Sequence, residues 1–329
     1  MRRRDFIKTI AGSAAAWPLA ARAQGDGGRR IGALLGYAER DPTAQSRFAA
    51  FKQELAARGW TDGVNLRIDA RWTGGDVTRA AASAKELVAK QPEVILANTT
   101  PVTAAVQHET KTIPIVFVVV SDPIGSGFVK SLQSPGANIT GFTNVEASLV
   151  EKWAELLKEI APGTKRVAVM FNPQTASFAQ YYLQPLEAAA SALGVQAQGS
   201  PVLSEAEIEK VIAGLGDDPG SGLIMMTDGF MFVHRKAVID LTARYKVPAT
   251  YYFQEAVKEG GLISYGVNNT DLFRSAAIYV DRILRGAKPA ELAVQGPTKY
   301  ELFVNRTTAK TLGLTVPQTI LATADDIVE

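Results

Sequence analysis

The chain is 329 residues long, contains no cysteine and only two histidines, and carries 35 basic against 33 acidic side chains. That inventory excludes disulfides, thiolate metal sites, thiol nucleophiles and a lipid-modified cysteine. It also lacks the basic face or stripe that a nucleic-acid binder would carry, and domain-size statistics favour two domains at this length.

The N-terminus fixes the expected compartment. Residues 2 to 8 read Arg-Arg-Arg-Asp-Phe-Ile-Lys, a modestly apolar run follows from Ile10 to Ala21, and Ala21-Arg22-Ala23 places small residues where a signal peptidase reads them. Basic, apolar and A-x-A regions in that order make a secretory signal peptide. Arg3-Arg4-Asp5-Phe6-Ile7-Lys8 also resembles the twin-arginine (Tat) export motif, the alternative being an ordinary signal for unfolded export. The apolar run is shorter than the roughly 20 residues that span a bilayer. The expectation is a periplasmic protein cleaved after Ala23; cleavage leaves 30 basic against 32 acidic residues, a net charge of −2.

The remaining chain alternates strand and helix patterns. Strands are expected at Ile31 to Leu35, Asn65 to Ala70, Val94 to Ala97, Ile115 to Val120 and Ile139 to Phe142, with helices at Thr43 to Ala57, Val77 to Lys90, Val102 to Thr110 and Ile124 to Leu132. After a helix at Glu146 to Ile160 the order repeats. Strands are expected at Arg166 to Phe171, Val195 to Pro201, Leu223 to Thr227, Pro248 to Tyr252 and Leu262 to Gly266. The helices between them are Gln174 to Leu193, Glu205 to Leu215, Phe230 to Tyr245 and Glu255 to Lys258. A further helix at Leu272 to Leu284 and a strand-helix unit at Tyr300 to Leu312 follow. Helices of this length between strands imply right-handed βαβ units, so the fold class is α/β, with two Rossmann-like lobes, parallel sheets and a cleft between them. The expected division is 29–145 plus about 268–296 for the first lobe, and 146–267 plus about 297–329 for the second.

Four strand ends carry a capping residue followed by proline: Asp41-Pro42, Thr100-Pro101, Asp122-Pro123 and Asn172-Pro173. Proline suits the first helical position and Asp, Thr or Asn before it can accept a helical amide. These are therefore expected helix N-termini at the carboxyl edge of a parallel sheet, where ligands bind and unpaired amides attract anionic groups.

Catalytic signals are thin. His108 and His234 lie in helical patterns without a ligand partner at i+3 or i+4, no G-x-S-x-G elbow exists, and Gly125-Ser126-Gly127 lacks both the P-loop ending and the dinucleotide spacing. Asp41, Asp122 and Asp228 stand near strand ends, but a glycosidase needs two carboxylates about 5 to 10 Å apart, and capping or ligand bonding is the plainer role. The reading is a non-enzyme without metal or cofactor. Of the aromatics near the expected cleft, Tyr37, Tyr251 and Tyr252 stand out because each brings a polar tip to a strand end.

The segments Asn98-Thr99-Thr100-Pro101, Ser121-Asp122-Pro123-Ile124-Gly125, Pro135-Gly136-Ala137-Asn138-Ile139-Thr140-Gly141 and Glu259-Gly260-Gly261-Leu262 resemble those of the ABC transporter substrate-binding protein family related to tryptophan/tyrosine-binding proteins. The resemblance implies a periplasmic-binding-protein type I fold with three interlobe crossovers, and an ABC permease as partner. It also implies a small organic solute, amino acid or aromatic or carboxylated compound, as ligand. Carried onto this chain, it points to Thr99, Thr100 and Pro101, to Ser121 and Asp122 and, by position only, to Asn172, Thr227 and Asp228. Asp41, Tyr37 and Tyr251 complete the expected site. Thr99 and Thr100 are expected to hold a carboxylate, Asp228 or Asp122 an amino group, and Tyr37 or Tyr251 the apolar part. A monomer suits lobe closure. Competing readings are a solute sensor docking on a receptor and a periplasmic hydrolase.

Overall fold

The computed structural model describes residues 28–329, and the signal peptide expected over 1–23 lies outside the described residues. The first lobe begins with β1 (Arg29–Leu35), α1 (Pro42–Ala57), β2 (Leu66–Trp72), α2 (Val77–Ala89), β3 (Val94–Asn98), α3 (Thr100–Glu109), β4 (Ile115–Val120) and β5 (Ile139–Thr143). After a first crossover come α4 (Ala147–Ile160), β6 (Arg166–Phe171), α5 (Ala179–Ala192), β7 (Gln196–Pro201), α6 (Glu205–Gly216) and β8 (Ser221–Met225). They are followed by α7 (Gly229–Val233), α8 (Arg235–Arg244), β9 (Ala249–Tyr251), α9 (Gln254–Lys258) and β10 (Ile263–Gly266). A second crossover leads into α10 (Asn269–Leu284), and a third leads back through β11 (Glu301–Asn305), α11 (Arg306–Thr311), α12 (Gln318–Thr323) and β12 (Asp326–Val328).

The strands form two sheets, β2-β1-β3-β4-β5 and β12-β11-β10-β9-β8-β6-β7. All pairings in the first sheet are parallel, and β7 to β10 repeat the same order around β6, second-first-third-fourth-fifth. β11 pairs antiparallel with β10, and β12, parallel to β11, shares its reversed direction. The inner strands β3, β4 and β8 and the edge strand β5 are buried at every residue, as expected where helices cover both faces of a parallel sheet. In the first lobe α1 and α10 lie together on one side, and α2 and α3 on the other.

Helix α10 belongs to the first sheet although it follows the second in sequence. It packs on α1 and on β3, β4 and β5, and Trp60 beyond α1 donates to Asp281 at 2.7 Å. Helix α4 does the reverse and packs on β8, β9 and β10. The crossovers at 144–146 and 296–300 run side by side, with Thr143 N donating to Gln295 O at 2.9 Å.

Three expected elements differ. Ile124 to Leu132 is a chain of turns: the Asp122 carboxylate accepts Gly125 N at 2.8 Å, and Gly127 takes φ +71°, so the two glycines close a tight loop. The helix expected from Gln174 opens only at Ala179, after a turn held by Asn172. Phe230 to Tyr245 is broken at His234 into α7 and α8. Hence Asp41-Pro42 and Thr100-Pro101 start helices, while Asp122-Pro123 and Asn172-Pro173 start turns.

Trp153 on α4 is fully buried and its indole N–H donates to Tyr265 O at 2.7 Å. Trp153→Phe leaves that carbonyl without its donor and opens a small cavity. The expected loss is about 1–3 kcal/mol of stability, read as a lower urea midpoint with unchanged m-value.

Candidate functional site

The carboxyl edges of the two sheets face each other, and their loops enclose a narrow cavity. From the first lobe it is lined by Tyr37 after β1, Thr99 and Thr100 after β3, and Val119 and Ser121 at the end of β4. The second lobe contributes Thr175 and Phe178 after β6, Thr227, Asp228 and Gly229 after β8, and Tyr252 after β9. The enclosed space is about 10 Å³, roughly what one water needs. A larger opening of ≈ 240 Å³ sits at the crossovers, between Phe142, Asp271 and Lys299, and shares no lining residue with the narrow cavity.

Thr99 and Val119 are the strained parts of this wall. Thr99 has φ +79° and Val119 φ +59°, a region that β-branched residues strongly disfavour. Val119 sits where the β4–β5 register slips between Val118 and Val120, so the bulge turns it towards the cleft. Thr99 is fixed by its N–H to Val118 O at 3.1 Å and by its carbonyl, which accepts the Thr103 hydroxyl at 2.8 Å. Gly36 allows this approach, since a Cβ there would lie 2.5 Å from Thr99 Oγ1. The Thr99 hydroxyl is buried and has no hydrogen-bond partner. A buried hydroxyl without a partner is costly, and strain of this kind persists where function requires it.

Asp228 organises the opposite wall. Its Oδ1 accepts Met231 N at 2.7 Å and the Thr175 hydroxyl at 3.1 Å, and its Oδ2 accepts Asn172 N at 2.9 Å. It thus caps α7 and ties the β6 and β8 loops together. Burial pushes its carboxyl up to about 6, against the pull of the Asn172, Met231, Thr175 and Phe230 donors. Tyr252 donates its hydroxyl to Asp228 O at 3.2 Å.

Polar bonds cross between the lobes behind the cavity. Ser121 Oγ donates to Asn144 Oδ1 at 3.2 Å, Asn144 Nδ2 donates to Thr227 Oγ1 at 2.8 Å, and the Tyr182 hydroxyl donates to Ser121 O at 2.5 Å. Burial holds the Tyr182 hydroxyl well above the usual phenol range.

Of the residues expected from sequence, Tyr37, Thr99, Thr100, Ser121, Thr227 and Asp228 come together around the cavity. Pro101 lies in a small adjoining space behind Thr99, with Gly36 and Gly229. Asn172 is buried behind Asp228 and meets it through its backbone. Three others are placed elsewhere. Asp41 caps α1 by accepting Ala44 N at 2.8 Å and pairs with Arg235 at 2.6 Å. Asp122 closes its own turn. Tyr251 is wholly buried with its hydroxyl 3.0 Å from Thr242, because alternate strand residues face opposite sides and Tyr252 takes the cleft side. Val119, Thr175, Phe178 and Gly229 were not expected; Val119 depends on a bulge, and Thr175 and Phe178 on the delayed start of α5. Among the described residues no three His, Cys, Asp or Glu side chains gather as metal ligands, and no helix is long and apolar enough to cross a membrane.

A family model described as ABC transporter substrate binding protein matches residues 40–328. The tyrosine-binding protein of Clostridioides difficile (strain R20291) is 24% identical over 273 residues, 83% of this chain and 78% of that protein. Among solved structures, the ABC domain in complex with L-Trp from Streptococcus pneumonia is 24% identical, with a TM-score of 0.84 over 92% of this chain and 100% of that one. The ligand-free, open structure of a substrate binding protein with adhesive properties from Clostridium difficile is 25% identical, with a TM-score of 0.66 over 91% and 99%. The architecture is that of periplasmic binding proteins of type I.

Two outcomes are expected from this geometry. Thr99→Gly relieves the positive φ and removes the orphaned hydroxyl at the loss of a small buried methyl, so the free protein should gain about 1 kcal/mol in chemical denaturation. For Asp228, a folded value of about 6 lies above the unfolded value near 3.9. Its contribution is therefore fully present below pH 4 and lost as pH rises through 6, a drop of roughly 3 kcal/mol. Stability measured from pH 4 to 7 should show that fall in the wild type, and a flatter course in Asp228→Asn.

Proposed function

The chain belongs to the ABC transporter substrate-binding protein family, and we propose that it is the extracytoplasmic solute-capturing component of an importer, closing its lobes on an amino acid-like solute without altering it. The observation that carries this reading is the interlobe cavity: a strained, buried and unpartnered Thr99 hydroxyl on one wall, and the buried carboxylate of Asp228 on the other. In this reading the ligand carboxylate takes the hydroxyls of Thr99 and Thr100 and the Thr100 amide, the ammonium takes Asp228, and Tyr37, Phe178 and Tyr252 pack on the side chain. Convergent polar groups beside aromatic side chains are the features that fix orientation in a small-molecule pocket.

A space of about 10 Å³ is far smaller than any amino acid, so the lobes separate to admit one and repack around it. The chain superposes better on the L-Trp complex than on the open, ligand-free relative at nearly equal identity, which supports a closed kind of lobe arrangement here. Ligand binding then shifts a hinge equilibrium by its greater affinity for the closed state, and an inner-membrane permease receives the closed form. Two relatives bind, by name, tyrosine and L-Trp, which favours aromatic amino acids. Export by the N-terminal signal to the periplasm and action as a monomer complete the proposal.

Mature protein, residues 24–329, mixed with L-tryptophan, L-tyrosine and a panel of other amino and carboxylic acids tests it. A true ligand at 100 times its dissociation constant should add about 2.7 kcal/mol of stability, seen as a thermal shift, and be recovered chemically unchanged. Silence across the panel, or a product in place of the ligand, refutes the reading.

A further inference from the structure

Far from the crossovers, two ion pairs join α1 of the first lobe to helices of the second. Arg47 Nη2 meets Glu255 Oε1 at 3.0 Å, and Arg235 Nη1 meets Asp41 Oδ2 at 2.6 Å. The signs are crossed: each lobe offers one cation and one anion to the other. Both guanidinium groups also lie over the ring of Phe232, Arg47 at 4.7 Å and Arg235 at 4.5 Å, and Phe232 packs on Tyr37 at 4.3 Å. Arg47 Nη1 donates in turn to the Tyr37 hydroxyl at 3.4 Å.

We propose that Asp41–Arg235 and Arg47–Glu255 form an interlobe latch that sets ligand affinity by stabilising the closed state, without any of the four residues touching the ligand. The inference rests on the lobe-closing reading above. Exposed ion pairs contribute little because water competes with them, but the Arg47 and Arg235 side chains are 1% and 8% exposed. Each of these residues sits on an element that packs within its own lobe, so neither sheet depends on the pairs; they exist only where the lobes meet. Arg235 retains a two-pronged pair with Glu259 inside the second lobe, which keeps it in position when the lobes part.

The latch is also incomplete. Arg47 Nε and Glu255 Oε2 are buried without partners, and both regain water when the cleft opens. That penalty opposes closure, so the seam balances attraction against desolvation and leaves the equilibrium open to a ligand. Arg47 and Arg235 are thus positioning residues: they act through Tyr37, Phe232 and the lobe equilibrium.

The cysteine-free chain suits a distance measurement. Spin labels on Val64→Cys and Leu203→Cys, exposed positions of opposite lobes, report lobe separation in ligand-free protein by pulsed dipolar spectroscopy. Asp41→Asn keeps the α1 cap and Glu255→Gln keeps a hydrogen-bonding side chain, so each should fold, as circular dichroism will verify. Each should shift the distances towards longer values and weaken L-tryptophan binding about tenfold, as a smaller closed population requires. Asp240→Asn, which removes an exposed ion pair with Lys236 inside α8, should leave both unchanged. Unaltered distances in the Asp41 and Glu255 variants, or equal opening by Asp240→Asn, overturns the latch. If L-tryptophan binds none of the proteins, the ligand reading fails and the distances alone decide the latch.

Discussion

Parallel strands deliver all their carboxyl ends to one edge, and that constraint shapes everything else in this molecule. Each lobe repeats one strand order, so the loops after β1, β3 and β4 meet those after β6, β8 and β9 across a single seam. Loops carry unpaired backbone and polar groups that the sheet interior cannot satisfy. When two such edges close on each other, those groups must find partners across the seam, in a ligand or in water. Asn144 and Tyr182 supply part of the answer by bonding across the lobes. Thr99 is left without one, and the proposed site rests on that deficit.

The two walls differ in how they are held. The first-lobe wall stores strain: Thr99 and Val119 occupy backbone conformations that a β-branched residue reaches only when its surroundings leave no alternative. The Asn98 side chain enforces this by bonding both Gly36 N and Val118 O, so the ends of β1, β3 and β4 are locked together. The second-lobe wall has no such strain and is ordered by the charge of one carboxylate. Asp228 gathers donors from two loops and pays for its burial through them.

The alternation of strands and helices was legible because period-2 and period-3.6 patterns hold wherever a parallel sheet is covered on both faces. β4, apolar along its whole length, left no ambiguity. Local chemistry was less transferable. Asp-Pro starts a helix at 41 and only a turn at 122, because Gly125 and Gly127 after the second one favour a tight loop over helix propagation. The tyrosine pair at 251 and 252 depended on one residue of register, which sequence near a three-residue strand does not fix. The role of Asp41 was hidden for another reason: its partner Arg235 is 194 positions away, and an ion pair between lobes has no local signature. Val119 owes its place to a bulge that nothing in Val118-Val119-Val120 announces.

The discontinuity of the first lobe has a consequence for how the chain acquires its structure. Helix α1 is finished within the first sixty residues, yet the helix that covers it, α10, spans Asn269–Leu284. Chain emerging from a ribosome therefore holds an α1 face awaiting its cover while the entire sheet of β6 to β10 is made. Closing that contact fixes a loop of more than 200 residues, the kind of non-local pairing that slows folding. The second lobe is interrupted as well, since β11 and β12 arrive only after α10 has docked. Neither half has all of its elements until the chain is nearly finished. Exposed apolar surface on α1 is in the meantime a natural substrate for holdase chaperones.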